Sequence, residues 1–128
     1  MKPRVNKIVY LAGGMKCGWQ DRARALLGRH ELLDPRSWAD PSPAVYTARD
    51  LAAIQRCDWL LVYMSSANPS GWGLSVELGY AYGLGKKIVF CDELGADWRA
   101  PYFGMHREMA TAICASLAAA AAVIERDA

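Results

Sequence analysis

The sequence is poor in the residues that build metal sites. Its four cysteines stand at 17, 57, 91 and 114 with no C-x-x-C pair, and there are only two histidines, His30 and His106. That scatter argues against a structural zinc site. No block of five or more basic residues occurs, and fifteen Lys and Arg stand against thirteen Asp and Glu, a net charge of +2. Such a balance lacks the electrostatic footprint of a protein that grips duplex DNA or RNA, while a slight positive excess suits small anionic substrates. A membrane span is missing too. The most apolar stretch, Met109 to Ile124, has 16 residues, is rich in alanine and is broken by Thr111 and Ser116; a span needs roughly 20 strongly apolar residues. It reads instead as part of a packed C-terminal helix. No leader sequence is visible, so the widely spaced cysteines predict reduced, mostly buried thiols in a cytoplasmic protein.

What is present is a globular balance: 128 residues, 53% hydrophobic and 22% charged, enough for one domain spanning residues 1–128 and too little for two. Val5 to Ala12 is β-branched and apolar and stops at Gly13-Gly14, which predicts a first strand ending in a tight turn. Trp19 to Gly28 has helical spacing, and Glu31 to Leu33 is a weak second strand ended by Asp34-Pro35. Residues 35–43 hold three prolines and read as loop. Val45 to Cys57 is helical, Trp59 to Met64 is the strongest strand, and residues 65–73 are loop by composition. Ser75 to Leu84 predicts a helix capped near Leu74 or Ser75, Lys87 to Cys91 a strand, and Met105 to Arg126 a last helix. Strands alternating with helices predict an α/β fold: a doubly wound, flavodoxin- or Rossmann-like parallel sheet with helices on both faces. Its order is 2-1-3-4, or 2-1-3-4-5 with a fifth strand, of which no trace is visible after Cys91.

In such a sheet, ligands bind beyond the carboxyl ends of the strands, where the winding reverses. Here the reversal falls between the first and third strands. The loops leaving them, Gly13–Gly18 and Ser65–Gly73, are the two most glycine-rich in the chain. Gly13 and Gly18 have the spacing of P-loop glycines, but Trp19 and Gln20 follow where Lys and Ser or Thr are required. GGMKCG is not a G-x-G-x-x-G fingerprint either, so P-loop and dinucleotide-binding readings fail.

Glu77 falls in the expected first turn of a helix at this crevice. It is either a surface carboxylate favoured by the helix dipole or a nucleophile whose pKa backbone donors hold low. Asp50 is either a solvated helix residue or a general acid reaching the same crevice. Tyr10, near the end of the first strand, is core or site, and its hydroxyl needs a partner if buried. Asp58 reads as the end of a structural element. Trp72, between two glycines, is placed to stack on a base, and the other four tryptophans read as packing residues. Lys16 and Arg22 either face an anion or are solvated.

The segments VYLAGGMKCGWQD, ARDLAAIQRCDWLLVYM and GLSVELGYAYGLGKKIVF together resemble the nucleoside 2-deoxyribosyltransferase superfamily, whose branches include the 2′-deoxynucleoside 5′-phosphate N-hydrolases. The similarity runs from Val5 to Cys91, and ELGYAYGLGKKI is its most specific piece. The resemblance implies a doubly wound α/β enzyme that cleaves or exchanges the N-glycosidic bond of a nucleoside or nucleotide, with no metal or organic cofactor. Glu77 would attack C1′, Tyr10 would hold that glutamate, and Asp50 would assist departure of the base. Gly13 and Gly14, with Met15 beside them, match the turn that approaches the sugar. Lys16 falls where the phosphate hydrolases carry a basic residue, and Ser70 or Ser75 near their phosphate-binding serine. Trp72 and Gly73 complete the expected substrate-binding set. Transferases commonly carry D-x-G-T before the glutamate; here the aligned stretch is Gly71-Trp72-Gly73-Leu74. That loss weakens a transferase more than a hydrolase, and it leaves a non-catalytic nucleotide-binding or sensing module as the alternative.

The implied partner is a small nucleoside or nucleotide, without nucleic acid or membrane. No charge occurs between Met109 and Ile124. A helix so bare predicts burial between subunits, in a homodimer or larger homo-oligomer, or burial across the chain's own sheet. The resemblance adds that neighbouring subunits complete each other's sites, which would bring Tyr102, Phe103 or His106 to a partner's crevice.

Overall fold

A computed structural model describes residues 6–67 and 72–127. The elements are β1 (Ile8–Gly13), α1 (Trp19–Leu27), β2 (Glu31–Leu33), α2 (Pro43–Arg56), β3 (Trp59–Ser65), α3 (Trp72–Gly83), β4 (Lys87–Glu93), α4 (Gly104–Met109), β5 (Ala112–Cys114) and α5 (Leu117–Arg126). The five strands form one sheet in the order β2-β1-β3-β4-β5, and every neighbouring pair is parallel. The winding therefore reverses between β1 and β3.

The two-residue period of a strand sends alternate side chains to opposite faces. Tyr10, Leu60, Val62 and Phe90 pack against α2 and α3, where they meet Ile54, Leu74 and Leu78. Val9, Leu11, Leu61 and Val89 pack against α1 and α5, where they meet Leu27, Ala120 and Ile124. β3 lies in the middle of the sheet, and all seven of its residues are buried. That is why its sequence is continuously apolar rather than alternating. Asp58 closes the start of β1: its Oδ2 accepts from the Ile8 N–H at 2.8 Å.

The C-terminal third departs from the single helix expected over Met105 to Arg126. α4 ends at Met109, Ala110 turns extended, and a fifth strand forms inside the alanine-rich stretch. Thr111 docks it: its N–H donates to the Ile88 carbonyl at 2.7 Å, and its Oγ1 accepts from the Ile88 N–H at 2.9 Å. Ser116 then caps a new helix, its side chain accepting from the Ala119 N–H at 3.1 Å. Thr111 and Ser116 are thus element boundaries. The uncharged stretch is explained within one chain: Ala112–Cys114 is an edge strand, and α5 buries Leu117, Ala120, Ala121 and Ile124 on its own sheet.

Candidate active site

Tyr10, Asp50 and Glu77 come together from three elements. The alternation of β1 points Tyr10 toward α2 and α3, where it is fully buried. Its hydroxyl donates to Glu77 Oε2. Glu77 sits in the second turn of α3, because that helix begins at Trp72 rather than near Ser75. Its first turn holds no acidic residue, so the helix-dipole account does not apply. Asp50 comes from α2, and its Oδ1 accepts the Trp38 indole N–H at 2.7 Å.

Trp38, Asp50 and Glu77 border a cavity of about 540 Å³, and Tyr10, fully buried, reaches it only through Glu77. Its walls are the turn after β1 (Gly13, Gly14, Met15, Lys16), the segment after β2 (Pro35, Trp38, Ala39, Asp40), α2 (Tyr46, Thr47, Asp50, Leu51) and α3 (Gly73, Leu74, Val76, Glu77). Trp19 and Gln20 hold the first turn from behind, donating to the Gly14 carbonyl at 2.9 and 3.1 Å. Gly13 is required by packing: a Cβ there would stand 2.8 Å from the Tyr63 carbonyl oxygen and 3.0 Å from the Trp19 ring.

Burial pushes the Glu77 carboxyl up to about 7. Tyr10's hydrogen bond works against that rise, while Asp50, through its charge and its hydrogen bonding to Glu77, adds to it. This corrects the expectation of a low pKa held by backbone donors. The Tyr10 phenol is driven far above its ordinary value by burial and then by the Glu77 charge, so it remains a donor. The site therefore pairs a carboxyl that exchanges its proton near neutrality with a second carboxyl, inside largely apolar walls. Such groups suit acid–base or nucleophilic chemistry. Lys16 is the one cation among the described residues of the lining.

Of the expected substrate-binding residues, Gly13, Gly14, Met15, Lys16 and Gly73 line the cavity. Trp72 does not; it opens α3 and is 93% exposed. Ser75 faces away toward α4, its Oγ 2.7 Å from His106 Nε2, because two residues along a helix is more than half a turn from Glu77. Ser70 lies outside the described residues. Arg22 turns to the other side of the sheet, donating to the Tyr63 hydroxyl at 2.9 Å. Phe103 is buried in its own chain's core, and the His106 ring meets it edge-on at 4.8 Å. Neither is free to enter a partner's crevice. Of the tryptophans read as packing residues, Trp19 and Trp59 are buried, whereas Trp98 is 75% exposed and Trp38 lines the cavity.

The wall after β2 was not foreseen. Its signal was present: Asp34-Pro35 opens a short 3-10 turn, Pro35–Trp38, with the Asp34 carboxylate accepting from the Arg36 N–H. β2 also ends at the carboxyl edge of the sheet, so the segment after it belongs to the same crevice. Among the described residues, no group of three or more His, Cys, Asp or Glu is placed to hold a metal ion.

No protein-family model and no curated protein matches the sequence. Solved structures do. A 2-desoxiribosyltransferase from Leishmania mexicana is 23% identical with a TM-score of 0.54, over 67% of this chain and 65% of that protein. The likeness is one of fold. The CMP N-glycosidase BcmB from Clostridium botulinum shares that fold nearly end to end, with a TM-score of 0.59 and 22% identity over 93% of this chain and 98% of its own. In this chain the cavity occupies the switch point between β1 and β3.

Proposed function

We propose that this chain is an enzyme that breaks, or transfers across, the N-glycosidic bond of a nucleoside or nucleoside 5′-monophosphate. The observation that carries the reading is the meeting of Asp50 and Glu77 in one apolar cavity at the switch point, with Tyr10 holding Glu77 from the core. The two fold neighbours, a desoxiribosyltransferase and a CMP N-glycosidase, support it.

Cleavage at an anomeric carbon passes through an oxocarbenium-like state. An ionised carboxylate below C1′ stabilises that cation and can bond to it. Glu77 takes this role: its carboxylate oxygen bonds to C1′ as the C1′–N bond breaks. Asp50 delivers a proton to the departing base, and water or a second base then displaces Glu77. A pair that together holds one proton supplies both needs at once. Tyr10's hydrogen bond favours the ionised form of Glu77 and keeps it on the cavity side. Lys16 at the lip suits a 5′-phosphate.

A homodimer or larger assembly belongs to this reading. Its support is the exposed apolar surface of Trp98, Tyr102 and Met105, with Trp72 and Val76 on α3. A cytoplasmic location is supported by the free state of all four cysteines. No helix among the described residues is long and apolar enough to cross a membrane.

Base release measured by chromatography on a panel of ribo- and deoxyribonucleosides and their 5′-monophosphates tests the proposal. Release from at least one, with monophosphates competing better than nucleosides, is expected. Binding without release from any would make the chain a nucleotide sensor.

A further inference from the structure

Trp38 borders the cavity, yet the chemistry above leaves it without a task. Its position is fixed from several directions. The 3-10 turn it ends is capped by Asp34, and the Ser37 hydroxyl donates to the Asp34 carbonyl at 2.6 Å. Arg49 Nη1 donates to the Trp38 carbonyl at 3.1 Å. The next residue of α2, Asp50, receives the indole N–H at 2.7 Å. Two consecutive helix residues therefore hold both the backbone and the ring of one tryptophan.

The other side of the ring faces the rest of the site. Trp38 and Tyr10 lie with ring centroids 6.4 Å apart, tilted by 39°, and the Tyr10 hydroxyl donates to Glu77. A path thus runs from the indole N–H to Asp50, from Asp50 to Glu77, from Glu77 to Tyr10, and back to the Trp38 ring. An N–H donor on one carboxylate oxygen fixes the plane of the group. With Oδ1 engaged, Oδ2 is the Asp50 oxygen left to carry a proton.

We propose that Trp38 is a positioning residue for the reaction: its indole N–H orients Asp50 while its ring backs Tyr10, holding the two carboxyls as a working pair. The inference rests on the function proposed above. A cavity wall that only contacted a base would need neither the N–H contact to Asp50 nor the Arg49 anchor.

Trp38→Phe keeps a ring against Tyr10 and removes the donor. For base release, kcat should fall at least about tenfold with KM within about threefold, the pattern of an interaction that serves the transition state rather than binding. With Trp38 left in place, its indole proton resonance should move on Asp50→Asn while the other indole resonances stay where they are, a measurement that needs no Trp38 variant to fold. An unchanged kcat, a fall in kcat/KM wholly in KM, or an indole proton indifferent to Asp50 would overturn the proposal. If the unaltered chain releases no base at all, the functional reading fails, and the indole resonance still decides whether Trp38 holds Asp50.

Discussion

At the end of α5, carboxylates are matched by cations. Glu125 accepts from Arg29 and lies 2.8 Å from His30 Nε2, and Asp127 meets Lys87 Nζ at 2.6 Å and the Trp59 indole at 2.8 Å. Both are held below the usual carboxylate range, Glu125 first by the Arg29 hydrogen bond and Asp127 first by that of Lys87. Across the sheet, Glu77 has a phenol and a second carboxyl for partners, and burial drives it up to about 7. The first pair of acids favours the folded state when ionised. The third opposes it. Acids that oppose folding when charged, and that border a cavity, are where function is to be sought.

The contrast can be broken at Glu77. Glu77→Ala should reduce base release by about 10³-fold or more, since the group bonding to C1′ is gone. A variant that keeps more than a tenth of the activity in a chromatographic assay would return Glu77 to a structural part. Asp50→Asn should cost about 10²-fold or more with poor leaving bases and much less with activated ones. Equal slowing across a leaving-group series would remove it as the acid.

Stability sharpens the same contrast. The folded-state value of Glu77, about 7, lies above the ordinary 4.5. Below the ordinary value, folded and unfolded chains are both protonated there, and nothing is lost. Between the two values only the unfolded chain ionises, so stability falls as pH rises. Glu77→Gln should therefore be more stable than the parent at pH 8, by on the order of 1–3 kcal/mol, and level with it at pH 4. Urea midpoints at the two pH values measure this. Glu125→Gln should show the reverse sign and the smallest effect. Its depressed value gives stability above the ordinary range that is lost as pH falls through the folded value. Because the pair is partly exposed, the loss at pH 7 should be about 1 kcal/mol or less, and smaller in high salt.

Much of this architecture was legible in the residues. Trp59 to Met64 announces a strand covered on both faces, and the alternation of strands and helices leads to the β1/β3 crevice. Tyr10, Asp50 and Glu77 were reachable from that crevice and from the resemblance of their segments. β5 was not, because alanine favours helix and a three-residue edge strand takes its form from Ile88, a partner far away in sequence. Trp72 and Ser75 were misplaced because the glycines around Trp72 suggested loop where α3 has already begun. Trp38 was hidden by prolines that read as mere connection. The rise of Glu77 depends on how deeply α3 packs against β1, which no local pattern reports.

The position of α5 has a consequence for synthesis. The strands β1 to β4 and every described residue bordering the cavity are in place by Glu93, whereas α5 spans Leu117–Arg126 and Asp127 adds its contacts later still. A chain growing on the ribosome thus acquires the side bearing the cavity while Leu11, Leu61 and Val89 on the other side still await the final helix. During that interval the uncovered strip is a ready binding surface for chaperones and a hazard between neighbouring nascent chains.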